Sequence, residues 1–146
     1  RLPMTVNGPY VWSYDGTTSY GYNNTSSEMG HLYYTELGNL GYYDTSGSGP
    51  QSGWGLNNTG DFQNLISSVY WSGTEYATDT LYAWTFVFYN GYQDTFYKLN
   101  DFYALAVRSG DVAAATSVPE PTTVALLGIG LAGMAVYGVR RRRQRR

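Results

Sequence analysis

The sequence predicts an α+β domain, one main amphipathic helix beside an antiparallel β-meander, followed by a membrane-length C-terminal helix. Met29, Leu32, Tyr33 and Leu37 fall at i, i+3, i+4 and i+8, the spacing of one helical face. Tyr82, Trp84, Phe86 and Phe88 alternate with Ala83, Thr85 and Val87 ahead of Asn90-Gly91, which reads as a strand entering a hairpin. Thr122 to Val139 carries no charged side chain and runs into Arg140-Arg141-Arg142-Arg143-Gln144-Arg145-Arg146.

Taken in order, residues 4–25 are rich in Gly, Asn, Ser, Thr and Tyr, with turn signals at Gly8-Pro9 and Asp15-Gly16. They read as loop with a short strand at Tyr10–Tyr14. Thr25-x-x-Glu28 has the capping-box pattern, so the helix is placed at about 26–37 with Gly38 as its C-terminal stop. Residues 38–60 return to loop, low in complexity at Ser46-Gly47-Ser48-Gly49-Pro50, and a helical turn is expected near Phe62–Ile66. A strand follows at Ser68–Ser72. The Tyr82–Tyr89 strand turns at Asn90-Gly91, returns over Tyr92–Leu99, turns again at Asn100-Asp101 and continues over Phe102–Arg108, three sequential strands of a meander. Residues 112–117 are small and featureless, a linker.

As a helix, the apolar run from Thr122 to Val139 reaches roughly 27 Å at about 1.5 Å per residue, close to the hydrocarbon thickness of a bilayer. Gly128, Gly130, Gly133 and Gly138 would weaken a helix in water, but lipid offers the backbone no competing partner. None of these glycines stands four from another, so the helix-dimer motif is absent. The basic stop (Arg140, Arg141, Arg142, Arg143, Arg145 and Arg146) belongs on the cytoplasmic side by the positive-inside rule, which leaves residues 1–118 outside the inner membrane.

Val118-Pro119-Glu120-Pro121, the apolar run and the terminal arginines, in that order, resemble a PEP-CTERM sorting signal spanning 118–146. Prolines on both sides of Glu120 hold this segment extended and out of the helix, open to a protease at the membrane surface. The resemblance implies recognition by an exosortase, a membrane enzyme of Gram-negative envelopes that commonly also make exopolysaccharide. It further implies that the inner membrane is a transient anchor. The ectodomain would stand in the periplasm before processing and at the cell surface or in the extracellular matrix afterwards.

About 118 residues precede the signal, one domain's worth, enough to bury roughly two-thirds of the unfolded surface. The overall charge of −2 hides an asymmetry: residues 1–118 hold three cations, Arg1, Lys98 and Arg108, against ten carboxylates, a net −7. Nucleic acid is not a partner for a domain of that sign. With no cysteine, neither disulfides nor thiolate chemistry nor a Cys-based zinc site is available, and the core must come from 16 Tyr, 4 Trp and 5 Phe. The chain opens at Arg1-Leu2-Pro3 without an initiator Met or a signal peptide; export needs one, so part of the N-terminus is expected to be missing.

Residues 1–111 resemble the Lcl C-terminal domain family, named from the end of a collagen-like bacterial adhesin and C-type-lectin-like in fold. The resemblance is carried by Arg1-Leu2-Pro3, by Ser27-Glu28-Met29-Gly30-His31-Leu32-Tyr33-Tyr34-Thr35-Glu36-Leu37-Gly38-Asn39 and by Tyr70-Trp71-Ser72-Gly73-Thr74-Glu75-Tyr76. It extends through Ala83-Trp84, Phe86, Phe88, Asn90-Gly91 and Lys98 to Ala104-Leu105-Ala106-Val107-Arg108-Ser109-Gly110-Asp111. It implies a C-type-lectin-like domain, some of whose relatives bind polysaccharides or glycosaminoglycans.

Catalysis is not expected. His31 is the only histidine, beside the Met29/Leu32 face, and no Gly-x-Ser-x-Gly elbow occurs. The formylglycine-generating relatives need cysteines that this chain lacks. Glu75, Asp79, Asp94 and Asp101 lie in or beside the β-region's loops and are the candidate calcium ligands, against a plain solubilising acidic surface. Glu75 also has an ion-pairing role open to it, with Lys98 and Arg108 on adjacent strands. Sugar binding has a compositional rationale, because pyranose faces stack on Tyr and Trp while Asn, Asp and Gln bond the hydroxyls. Loops 10–24 and 40–58 combine such residues, and Trp12, Tyr22, Tyr43 and Trp54 are the candidate carbohydrate contacts; the alternative is that these rings pack the loops onto the meander. The acidic domain disfavours highly sulfated polyanions. The function expected is a non-catalytic, exosortase-sorted surface or matrix protein that binds extracellular polysaccharide, with a Tyr-rich, self-associating matrix protein as the rival.

Overall fold

In the computed structural model, residues 1–108 are described. The linker at 112–117, Val118–Pro121, the expected membrane helix at 122–139 and the basic tail lie outside them. Among the described residues no helix is long and apolar enough to cross a membrane.

The domain is mostly sheet, with one short helix. Strands β1 (Trp12–Ser13), β2 (Tyr20–Gly21), β3 (Val69–Glu75), β4 (Tyr82–Val87), β5 (Tyr92–Tyr97) and β6 (Tyr103–Ala104) form one six-stranded sheet in the order β1-β2-β5-β4-β3-β6. The meander is β3-β4-β5, antiparallel throughout. The segment expected as its continuation, Phe102–Arg108, does not lie beside β5. Only Tyr103–Ala104 is strand, and it pairs parallel to β3, Tyr70 opposite Tyr103 and Trp71 opposite Ala104. The free edge of β5 is already taken by β2, Gly21 opposite Gln93, so the returning chain uses the free edge of β3. Phe102 covers the crossing, its ring 5.1 Å from Trp71 and 5.2 Å from Phe96.

The helix begins at Ser27, whose side-chain oxygen accepts from the Gly30 N–H at 3.0 Å. The capping box expected at Thr25 therefore does not form. Helix α1 (Glu28–Gly30) runs directly into a π-helical stretch (His31–Glu36), where the Leu37 N–H reaches back five residues to the Leu32 carbonyl at 2.9 Å. Residues four apart drift around an α-helix of 3.6 residues per turn, and the wider turn takes up that drift. Met29, Tyr33 and Leu37 consequently all bury on one face. Gly38 takes φ +64°, the left-handed stop that its position suggested.

This face packs with Leu65, Tyr70, Phe86 and Phe88 into the core. The ring of Tyr33 lies 5.4 Å from Phe86, and Tyr70 lies 4.9 Å from Phe88. Fully burying each such side chain is worth about 1.5–3 kcal/mol. No helical turn forms at Phe62–Ile66; the Ile66 N–H instead donates to the Tyr70 hydroxyl at 3.0 Å, and Leu65 tucks inward. The β4–β5 turn is longer than the two residues expected, occupying Phe88–Gly91 between the Val87–Tyr92 pair. Phe88 is drawn into the core and Asn90 is buried, so neither is free to continue the ladder. Gly91 is required twice over: its φ is +78°, and a Cβ there would collide with the Tyr34 hydroxyl oxygen, which donates to the Gly91 carbonyl.

Candidate functional site

Strands β1, β2 and β5 lie side by side at one end of the sheet, and their aromatic residues meet. Trp12 pairs with Tyr20 across β1 and β2, and its indole lies 5.1 Å from the Tyr20 ring, 5.7 Å from Tyr92 and 5.9 Å from Tyr22. Tyr10, just before β1, stacks on Tyr20 at 4.2 Å with the planes 12° apart. On the other side the contacts pass from Tyr22 to Tyr43 at 5.1 Å, from Tyr43 to Tyr42 at 4.8 Å and from Tyr42 to Trp54 at 4.9 Å. Most of these pairs are edge-on, an arrangement that suits the aromatic quadrupole. The result is a ribbon of rings from Tyr10 to Trp54.

All four candidate carbohydrate contacts fall in this ribbon, in different situations. Trp12 (39 % exposed) and Trp54 are at the surface, and Tyr43 is half-buried. Tyr22 is only 6 % exposed and offers no face to a ligand. Its hydroxyl accepts from the Asn90 side chain at 3.1 Å, and burial pushes its phenol up to about 12. Three of the loop asparagines are likewise turned to the protein. Asn39 accepts the N–H groups of Asn57 and Asn58, Asn24 donates to the Thr18 carbonyl, and Asn23 joins the two aromatic loops by donating to the carbonyls of Tyr14 and Tyr43. Buried loop backbone must be satisfied, and these amides do it.

Sequence reasoning placed Asp94 with calcium and missed Tyr92. In the fold the Asp94 carboxylate accepts the hydroxyl of Tyr10 at 2.7 Å and the N–H of Thr95 at 2.7 Å on Oδ1, and the hydroxyl of Tyr92 at 2.8 Å on Oδ2. Tyr10 is held well above the usual phenol range by burial and then by its bond to Asp94; Tyr92 is raised by burial, then by bonds to Tyr20 and Asp94. Both remain protonated donors. The signal available beforehand was the two-residue step from Tyr92 to Asp94, which puts both on one face of β5.

The four candidate calcium ligands are not brought together. Glu75 pairs with Lys98, Asp79 accepts the Leu81 N–H at 3.0 Å in its own turn, and Asp94 is held by the tyrosines. Among the described residues no three acidic or histidine side chains converge on a metal position. The Glu75–Lys98 pair forms as the charges suggested, though at the surface. His31 is exposed, 3.5 Å from Glu36.

The tail is where a comparison with known proteins succeeds. Residues 117–143 match the PEP-CTERM protein-sorting motif. The sorting motif takes in Val118, Pro119, Glu120, Pro121 and Arg140–Arg143, and it marks an exported protein, anchored in the membrane as a precursor and processed through an exosortase. No curated protein and no solved structure matches the chain, so the C-type-lectin-like resemblance of residues 1–111 has no counterpart there.

Proposed function

We propose that the domain is the non-catalytic, polysaccharide-binding part of a surface or matrix protein delivered by its sorting motif, and that the aromatic ribbon from Tyr10 to Trp54 is the binding surface. The observation that supports this most is the exposure of Trp12 and Trp54 at points along one connected set of rings. A linear sugar chain presents repeated apolar faces, and rigid indoles bind them at low entropic cost.

A second reading, self-association in the matrix, draws on a different place. Leu81, Tyr82, Tyr97 and Leu99 (80 % exposed) form an apolar patch at the β4–β5 end, with Tyr82 and Tyr97 5.6 Å apart. One experiment separates the two. The full chain in neutral detergent is passed over an array of envelope polysaccharides, beside Trp12→Ala and Trp54→Ala. Losing one stacking indole is expected to weaken binding about tenfold, about 1.4 kcal/mol. No binding by the wild type, with concentration-dependent association in sedimentation, selects the second reading.

A further inference from the structure

Resting on the polysaccharide-binding reading, the charge around the ribbon narrows its ligand. We infer that the ribbon takes a polysaccharide bearing free amino groups, in preference to an N-acetylated or uronic-acid polymer.

The first observation is the hydrogen-bond inventory at Asp94. Tyr10 and Tyr92 each spend their single hydroxyl proton on this carboxylate, and Thr95 spends its N–H. What the cluster still has for a ligand is lone pairs, on the phenol oxygens and on Oδ2. At Asp94 a sugar carboxylate meets a like charge, while a ligand ammonium brings three donors and a compensating charge.

The second observation is that the carboxylates around the ribbon lack a cation. Asp15 follows Tyr14 and Asp44 follows Tyr43, rings 5.1 Å apart within the ribbon. Each carboxylate is held by its own loop: Asp15 by the hydroxyl and N–H of Thr17, and Asp44 by Ser46 and Ser48. These bonds lower both acids below the usual range. Neither they nor Asp94 forms a salt bridge among the described residues. The cations of residues 1–108 lie elsewhere: Arg1 is paired with Glu28 and Lys98 with Glu75, and Arg108 lines a cleft with His31 and Glu36.

The third is the rings themselves. An ammonium over the exposed face of Trp12 or Tyr10 is attracted by the ring quadrupole, an attraction an N-acetyl group forgoes. The acceptors at Asp94, the negative charge beside the ribbon and the ring quadrupoles all favour the same ligand.

The test is titration of the full chain, in neutral detergent and mildly acidic buffer, with three oligosaccharides: a fully deacetylated β-linked glucosamine oligomer, its N-acetylated counterpart and a uronic-acid oligomer. Binding is counted as the part lost in Trp12→Ala, which removes any contribution of the basic tail. The deacetylated oligomer is expected to bind at least about tenfold tighter than the other two, and its affinity to fall as salt is raised. Asp94→Asn is expected to remove most of that preference, and the salt series on the wild type tests the same charge dependence without any substitution; a preference that survives both overturns the amino-group inference. Equal or tighter Trp12-dependent binding of the N-acetylated or uronic-acid oligomer overturns the amino-group inference and leaves polysaccharide binding standing. Absence of Trp12-dependent binding of any saccharide, on the array as here, overturns both.

Discussion

The Glu28 carboxylate accepts both guanidinium N–H groups of Arg1, each at 2.6 Å, and the backbone N–H of Met4 at 2.6 Å. The bonds from Arg1 are the main reason its acid is pushed down from 4.5 to about 2. A folded-state value below the unfolded one means that the unfolded chain binds more protons between the two. Stability from Glu28 is therefore complete above about pH 4.5 and is lost as pH falls through about 2. Unscreened, that shift would be worth about 3 kcal/mol, and with a side chain 41 % exposed, solvent reduces it to about 1 kcal/mol. Glu28→Gln should lower stability by that amount in urea unfolding at neutral pH and by almost nothing near pH 2. An equal loss at both would show that the carboxylate's charge is not what matters. Tyr22 makes the same point about legibility: composition marks it as a sugar-stacking residue, but whether its ring faces solvent depends on Asn90, 68 residues away along the chain.

At the scale of the element, the helix is the part best specified locally. Its apolar spacing and its glycine stop are in the sequence, and both reappear in the fold. Its start is not, because Thr25 and Ser27 are both acceptable caps, and the choice falls to the segment Pro3–Met4. The Glu28 N–H donates to the Met4 carbonyl at 3.0 Å, and the carboxylate is turned back to Met4 and Arg1. Glu28 is thus unavailable for a capping box with Thr25. Ser27→Ala should cost about 1 kcal/mol in thermal or urea unfolding, whereas Thr25→Ala, on an exposed residue, should stay within about 0.5 kcal/mol. The reverse order would restore the capping box. The β4–β5 pairing was similarly readable from its alternation and its Asn-Gly, while the length of its turn was not, because Phe88 serves the core.

At the scale of the molecule, the sorting motif and the domain answer to different physics. The motif is read as linear sequence, a proline-flanked glutamate before an apolar run and a basic stop, and it is legible without a fold. Changing Glu120 to Ala should leave the precursor uncleaved in the membrane, and mass spectrometry of the mature C-terminus checks this; normal release of the variant would contradict exosortase processing at this motif. The domain depends on contacts that no local pattern specifies. The sheet order β1-β2-β5-β4-β3-β6 brings Trp12 next to Tyr92, sends β6 to the far edge, and disperses the four carboxylates once grouped with calcium. By itself the sequence determined the destination of the chain, the helix, the hairpin and the sign of the domain's charge, because each rests on neighbours within a few residues or on a sum over all of them. Only the tertiary structure decided which aromatic faces meet solvent and which carboxylate they surround, because exposure and hydrogen-bond partnership are set by residues far apart in the chain.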